Sequence, residues 1–214
     1  MEELVPLKTV HGEAKVRGII ADLLPADVCA RAAVRYDKGL RAYTVPSFGI
    51  DFIASMEKDT ITGDSPLSPL FLLKFKDFFT LPLLWYLTSA KDIPPTGRLI
   101  RPIDVKGGQR FFSGTHVLPL DRLAQTYGRD RQLFLKRGRE LGAEVLGFGD
   151  ASIRLYPLPR VPITLILWIE DEEFPARVDL LFDSTIDMQI SLSDIIWSLA
   201  VLTSLVMLQE DLTQ

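Results

Sequence analysis

The residue types best suited to chemistry are concentrated in one stretch, Gly107-Gly108-Gln109-Arg110-Phe111-Phe112-Ser113-Gly114-Thr115-His116-Val117-Leu118-Pro119. Glycines here frame two aromatic rings, a hydroxyl pair and an imidazole. Glycine lets a backbone approach a ligand closely, and a phenylalanine at 111 or 112 can cover a planar group. A neutral imidazole ligates iron or cobalt and also serves as an acid or base near neutral pH. His116 is therefore the candidate metal ligand, and Phe112 and Ser113 are candidate contacts for a bound molecule. Arg98, Arg101 and Arg160 suit pairing with ligand carboxylates, because a guanidinium matches a carboxylate in two parallel hydrogen bonds. Asp183, at a strand end beside Ser184, suits an orienting carboxylate for a histidine base. The local alternative is that His116 hydrogen-bonds a neighbouring carbonyl and fixes the loop ahead of a helix.

Other chemistries are missing from the chain. Cys29 is the single cysteine, so neither an internal disulfide nor a thiolate cluster can form, as suits a reducing cytosol. Cys29 lies in a helical pattern where a small packed thiol is the default. Only His11 and His116 are histidines, which excludes H-E-x-x-H and histidine-rich metal sites. There is no G-x-x-x-x-G-K-[ST] loop, no G-x-S-x-G elbow, and Gly147-Phe148-Gly149-Asp150 lacks the third glycine of a dinucleotide loop. Glu170-Asp171-Glu172-Glu173 has no calcium-loop spacing and reads as a solvated hairpin tip. Net charge is −4 with both signs interspersed, which argues against nucleic acid as a partner. The amino-terminal residues lack the charged start and apolar run of a secretory signal, and the expected location is the cytoplasm. Phe71 to Leu87 carries Lys74, Lys76, Asp77 and Pro82, and Ile195 to Leu208 is shorter than the roughly 20 residues of a spanning helix. Both read as buried helices, so no transmembrane segment is expected.

The elements that must position these residues follow from periodicity. Up to Leu24 no period is sustained, and a helix or loosely attached arm is expected. Pro25 opens a short helix through Val34. Residues 34–36, 40–45 and 48–54 alternate as three strands of an antiparallel meander, with Asp37-Lys38-Gly39 as a turn whose glycine takes positive φ; residues 57–62 add a fourth. Leu70 to Ala90 is helical, with a break expected at Pro82. Residues 96–109 are loop, briefly extended at 99–100. Helices follow at 119–127 and 130–141, capped by Asp130 at the start of the second and by left-handed Gly128 and Gly142 at their ends. Residues 143–148 and 152–156 are strand candidates. Ile163–Ile169 and Ala176–Phe182 form a hairpin whose first strand, apolar on both faces, belongs at a sheet centre. A last helix, capped by Ser191, runs to Leu208. The expected class is α+β: an N-terminal meander, central helices, and a C-terminal hairpin followed by a long buried helix, all in a single domain of residues 1–214.

Several blocks resemble the prokaryotic family catalogued as domain of unknown function 3786. They are Lys91 to Pro102, Lys106 to His116, Leu158 to Pro162 with Leu167-Trp168, Asp171 to Arg177, Leu181 to Ser184, and Asp194-Ile195-Ile196-Trp197-Ser198. The resemblance implies proteins of anaerobic bacteria and archaea, some with a cysteine-rich iron–sulfur module at the N-terminus, and hence an iron–sulfur protein as partner. Cys29, being alone, departs from that arrangement. Relatives are expected to carry a histidine near Gln189, which would remove a two-histidine site from this chain. The expected function is a binding or accessory protein holding a small ligand or a metallo-cofactor of the haem or corrinoid type beside His116. The alternatives are an enzyme using His116 as general acid/base with Asp183, and a protein–protein adaptor docking through residues 71–87 or the last helix.

Overall fold

A computed structural model describes residues 10–111 and 116–209. Phe112, Ser113, Gly114 and Thr115 lie outside the described residues. Two antiparallel sheets and a set of helices confirm the α+β class.

The amino-terminal segment is a helix, α1 (Val10–Ala21), whose Val16 and Ile20 are buried. Pro25 opens α2 (Pro25–Ala32), which stops at Ala33 in a left-handed conformation with φ 52°. The meander follows as β1 (Arg35–Asp37), β2 (Ala42–Ser47), β3 (Ile50–Ser55) and β4 (Thr60–Thr62), in spatial order of sequence. Side chains alternate across a strand, so Tyr43, Val45, Phe52 and Ala54 face one core in cross-strand pairs Tyr43–Ala54 and Val45–Phe52. Two turn expectations shift. Gly39 does not supply positive φ; the Asp37 carboxylate accepts from the amides of Gly39 (2.7 Å) and Leu40 (2.9 Å), and Arg41 takes the left-handed conformation at φ 48°. Phe48-Gly49 is not the start of β3 but the β2–β3 turn, with φ 48° and 73°, the twist that a two-residue hairpin needs.

The helical stretch after Pro69 is one π-helical turn (Leu70–Lys74) and then α3 (Lys76–Ser89). The interruption falls at Phe75, not at Pro82, which stays inside the helix among buried residues 78–84. A proline removes one amide donor and crowds the carbonyl four residues earlier. Here that carbonyl is Phe78's, in the first turn of α3, so the helix tolerates the loss and the irregularity sits upstream.

The second sheet comprises β5 (Leu99–Ile100), β6 (Glu144–Leu146), β7 (Ala151–Leu158), β8 (Val161–Trp168) and β9 (Arg177–Asp183), in the order β5-β9-β8-β7-β6. Strand β8, apolar but for Thr164, is central and buried up to Trp168, as its lack of alternation requires. The acidic run tips the β8–β9 hairpin. Its Asp171 side chain accepts from the amides of Glu173 and Phe174, closing the turn locally. Helices α5 (Leu120–Tyr127) and α6 (Arg131–Glu140) lie between β5 and β6 in the chain, and Asp130 caps α6 by accepting from Leu133 N at 2.9 Å. Gly142 takes φ 70°, as a left-handed cap should, whereas Gly128 is right-handed at φ −63°. A Cβ on Gly128 would stand 2.2 Å from Ala176 Cβ, so glycine is required there by close packing and not by handedness.

The final helix, α8 (Ser193–Met207), is buried from Ile195 to Met207. Ser191 does not cap it; the Asp194 carboxylate instead accepts from Ile195 N within the first turn. Its buried hydroxyls do not go unpaired. Ser198, Thr203 and Ser204 each donate to the carbonyl four residues back, which lets a helix with polar residues lie inside the core. No helix among the described residues is long and apolar enough to cross a membrane.

The two sheets join where Phe48 N donates to Tyr156 O (2.8 Å), Ser47 Oγ donates to Pro157 O (2.7 Å), and Gly49 meets Gly142 backbone to backbone. A Cβ on Gly142 would lie 2.9 Å from Gly49 Cα, at a residue already in left-handed φ. Gly142→Ala is therefore expected to destabilise the protein by about 2–3 kcal/mol, since neither backbone can yield without parting the sheets. Urea unfolding with an unchanged m-value is the check; a change below about 0.5 kcal/mol would show that the seam is loose.

Candidate functional site

The segment from Arg101 to Gly108 is folded on itself before it reaches His116. A 3₁₀ turn spans Pro102–Asp104, then Gly108 N donates to Val105 O at 2.7 Å and opens the short helix α4 (Gly108–Phe111). Both glycines of the pair serve this turn. Gly107 takes φ 79°, and a Cβ on Gly108 would lie 2.2 Å from Pro102 O, inside contact distance. The turn is tied to the rest of the protein at two points. Lys106 N donates to the Asp187 carboxylate (3.0 Å) in α7 (Ile186–Gln189), and Gly107 approaches Ser193 at the start of α8.

His116 is half-buried and lies against α8. Its ring stands edge-on to Trp197, with centroids 5.2 Å apart and planes at 83°, and Trp197 Nε1 donates to the His116 carbonyl at 3.1 Å. Trp197 is itself buried and meets Phe78 of α3 in a second edge contact at 5.9 Å. Ser193 and Trp197 are four residues apart, hence on one face of α8 one turn from each other. Gly107 and His116 are thereby placed on the same stretch of the same helix. The turn at Gly107 borders an open cleft of about 480 Å³ lined by Ile103, Asp104, Val105, Gly107 and Gln109, and His116 is not among its lining residues. Ile103, Val117, Met188 and Leu192, from the same segments, expose apolar surface.

The other candidate residues are distributed unequally. Arg101 is next to this cleft, where its guanidinium makes two hydrogen bonds to Asp104 (2.9 and 3.1 Å). That pairing holds Asp104 below, and Arg101 above, their ordinary pKa values. Arg98 is exposed just before β5, and its carbonyl accepts from Ser184 N. Arg160 is elsewhere. Its guanidinium bonds Ala30 O and Asp92, and its amide donates to Tyr86 Oη. Tyr86 is eight residues, about 12 Å, further along α3 than the Phe78 that touches Trp197. Arg160 closes the ends of α2 and α3 together with Arg31, which donates to Leu87 O and Ala90 O.

Asp183 is buried at the end of β9. Its carboxylate accepts from the amides of Thr96 (3.1 Å), Gly97 (2.6 Å) and Thr185 (3.0 Å), and from the hydroxyls of Thr96 and Thr185. Burial alone would push this carboxyl up; the donors of Thr185, Thr96 and Gly97 outweigh it and hold it below the usual carboxylate range. None of its hydrogen bonds is to His116. It fastens the Thr96–Gly97 turn to the β9 end and so keeps β5 in the sheet, beside Arg98 and Arg101. Gln189 plays a matching role. It is fully buried, accepting from Lys91 N (3.0 Å) and donating to Ile93 O (2.9 Å), so it clamps the segment between α3 and β5.

Among the described residues no group of three or more histidine, cysteine, aspartate and glutamate side chains converges as a metal cage. Trp197 was not singled out from the sequence, yet it packs in the core and also holds the His116 backbone. The available signal was its place in the last of the blocks quoted above. Asp187, which holds Lys106, carried no such signal.

No curated protein and no solved structure matches the chain. A family model described as a domain of unknown function, DUF3786, matches residues 25–205, which span α2 to most of α8 and include His116, Asp183 and Trp197, and the chain therefore belongs to that family.

Proposed function

We propose that this chain is a binding or accessory protein that holds a small ligand against the loop of residues 101–116, with the His116 imidazole as its principal contact. The observation that carries this reading is the seating of His116: half-buried, edge-on to a buried tryptophan, its backbone held by the same indole, on the stretch of α8 that also meets Gly107 of the cleft wall. A ring positioned in this way loses little conformational freedom on engaging a ligand, which is the physical advantage of a prepared site. Arg101, already beside the cleft, is the guanidinium best placed to meet a ligand carboxylate, in exchange for Asp104.

The donor set narrows the kinds of metal group that fit. With no cage of protein ligands among the described residues, a lone imidazole suits a metal that arrives with its other ligands in place, as in a haem or corrinoid. His116 would then hold the metal axially and tune its electronics, while the ring chemistry belongs to the cofactor. Such a role accords with an accessory protein of a reducing cytosol working beside an iron–sulfur protein. The adaptor alternative is weakened because the apolar residues of α8 and most of those of α3 are buried.

Titration of the purified protein with haemin, and separately with cobalamin, tests the axial role. A shifted absorption band is expected for the wild type and its loss for His116→Ala. No shift with either cofactor, or an identical shift in the variant, removes His116 as an axial ligand.

A further inference from the structure

A second cleft, of about 220 Å³, lies on the opposite flank of the chain's first half, where the α1–α2 turn meets the meander. Its walls include Leu23, Tyr36, Tyr43 and Met56, and Arg41 and Glu57 form an exposed ion pair (3.5 Å) at its rim. Tyr36 and Tyr43 are directly paired across β1 and β2, with ring centroids 4.8 Å apart.

Tyr43 is unusual among the buried polar side chains. The residue is only 2% exposed, yet its hydroxyl makes no hydrogen bond with any described residue. Nor is that oxygen sealed from solvent. The buried Tyr86, by contrast, donates to Ala32 O and accepts from Arg160 N. A buried tyrosine normally finds a partner for its hydroxyl. Tyr43 lines the cleft and its hydroxyl is open to solvent, so that donor is available to a molecule bound there.

We infer that the Tyr36–Tyr43 cleft is a binding site for a compact aromatic ring bearing a neutral hydrogen-bond acceptor, which stacks beside Tyr36 and accepts from Tyr43 Oη. The volume accommodates one ring with a short substituent and excludes a nucleotide or a tetrapyrrole, so this site is distinct from the one beside His116. The apolar wall of Leu23 and Met56 favours a ring face over a charged group. A neutral acceptor is favoured because the apolar wall offers a charged one no counter-charge and the Arg41–Glu57 pair leaves the rim without net positive charge. Burial, with Tyr36 adding to it, pushes the Tyr43 hydroxyl up to about 12, so it remains a proton donor at neutral pH.

Benzamide is the probe, followed by the Met56 methyl and Tyr43 amide signals in labelled protein. A fragment of this size is expected to bind in the millimolar range. Three results are expected: shifts confined to the Tyr36, Tyr43 and Met56 region; roughly five- to tenfold weaker binding by Tyr43→Phe with an unchanged melting temperature, since that hydroxyl has no partner in the fold; and wild-type binding by His116→Ala. Leu23→Trp, which fills the cleft without touching the donor, is expected to abolish binding. Unmoved signals, or equal affinity of Tyr43→Phe and wild type, would overturn the proposal; equal binding of cyclohexanecarboxamide would overturn its aromatic preference.

Discussion

Trp197→Ala is expected to lower stability by about 3–5 kcal/mol and the melting temperature by roughly 10 °C. The indole is 2% exposed, and it packs edge-on against Phe78 on one side and His116 on the other. Removing it leaves a cavity between α3 and α8 and takes the donor from the His116 carbonyl. The consequence reaches the candidate site, because the backbone of the loop is held by that hydrogen bond. Trp197→Phe separates the two effects. It retains an aromatic ring and most of the packing but removes the Nε1 donor, so a smaller loss of about 1–2 kcal/mol is expected. The informative readout is hydrogen exchange at Val117 and Leu118, which should accelerate in both variants. A Trp197→Phe protein with wild-type exchange there would show that the loop holds its course without the indole.

Asp183→Ala is the second large effect, at about 3–5 kcal/mol. The substitution strands the amides of Thr96, Gly97 and Thr185, which have the Asp183 carboxylate as their acceptor. Asp183→Asn tests the mechanism more finely. Oδ1 receives the Thr96 and Thr185 donors while Oδ2 faces Gly97 N at 2.6 Å, so an amide in place of the carboxylate sets one N–H against another. The same arrangement has a pH signature. The folded-state pKa lies below the ordinary carboxylate range, so the carboxylate's contribution is complete above that range and is lost as pH falls through the lower folded value. The stability gap between wild type and Asp183→Asn should thus be flat at neutral pH and shrink only below about pH 4. A gap that closed near pH 6 would identify a different titrating group. If Asp183 were instead a catalytic partner of His116, its replacement would leave the melting temperature near that of the wild type.

The secondary structure was largely legible because it rests on local rules. Alternation marks β2, β3 and β9, a run apolar on both faces marks the central β8, and Pro25 and Asp130 mark helix starts. The misplacements share a cause. Gly39, Gly128 and Ser191 each suit the role expected of them, but a neighbour took it: Asp37 and Arg41 shape the turn, Ala176 presses on Gly128, and Asp194 serves the first turn of α8. Local propensity states what a residue can do, and packing selects among its options.

The candidate site was half legible. Gly107-Gly108 and His116 stood out by composition, since glycines beside an imidazole are a short-range pattern. Asp183 and Arg160 were singled out by chemical type alone, and type says nothing of which donors or carbonyls are near. Their engagement with the Thr96–Gly97 turn and with the ends of α2 and α3 depends on contacts between residues 68 to 130 positions apart. Composition and periodicity by themselves determined that this is an α+β chain with a buried last helix and a glycine-framed histidine. The tertiary structure alone decided that Trp197 holds that histidine, that Asp183 serves the sheet, and that Tyr43 lines a second cleft. Periodicity reports each residue's exposure relative to its own element, whereas a partner across the core is set by how separate elements dock.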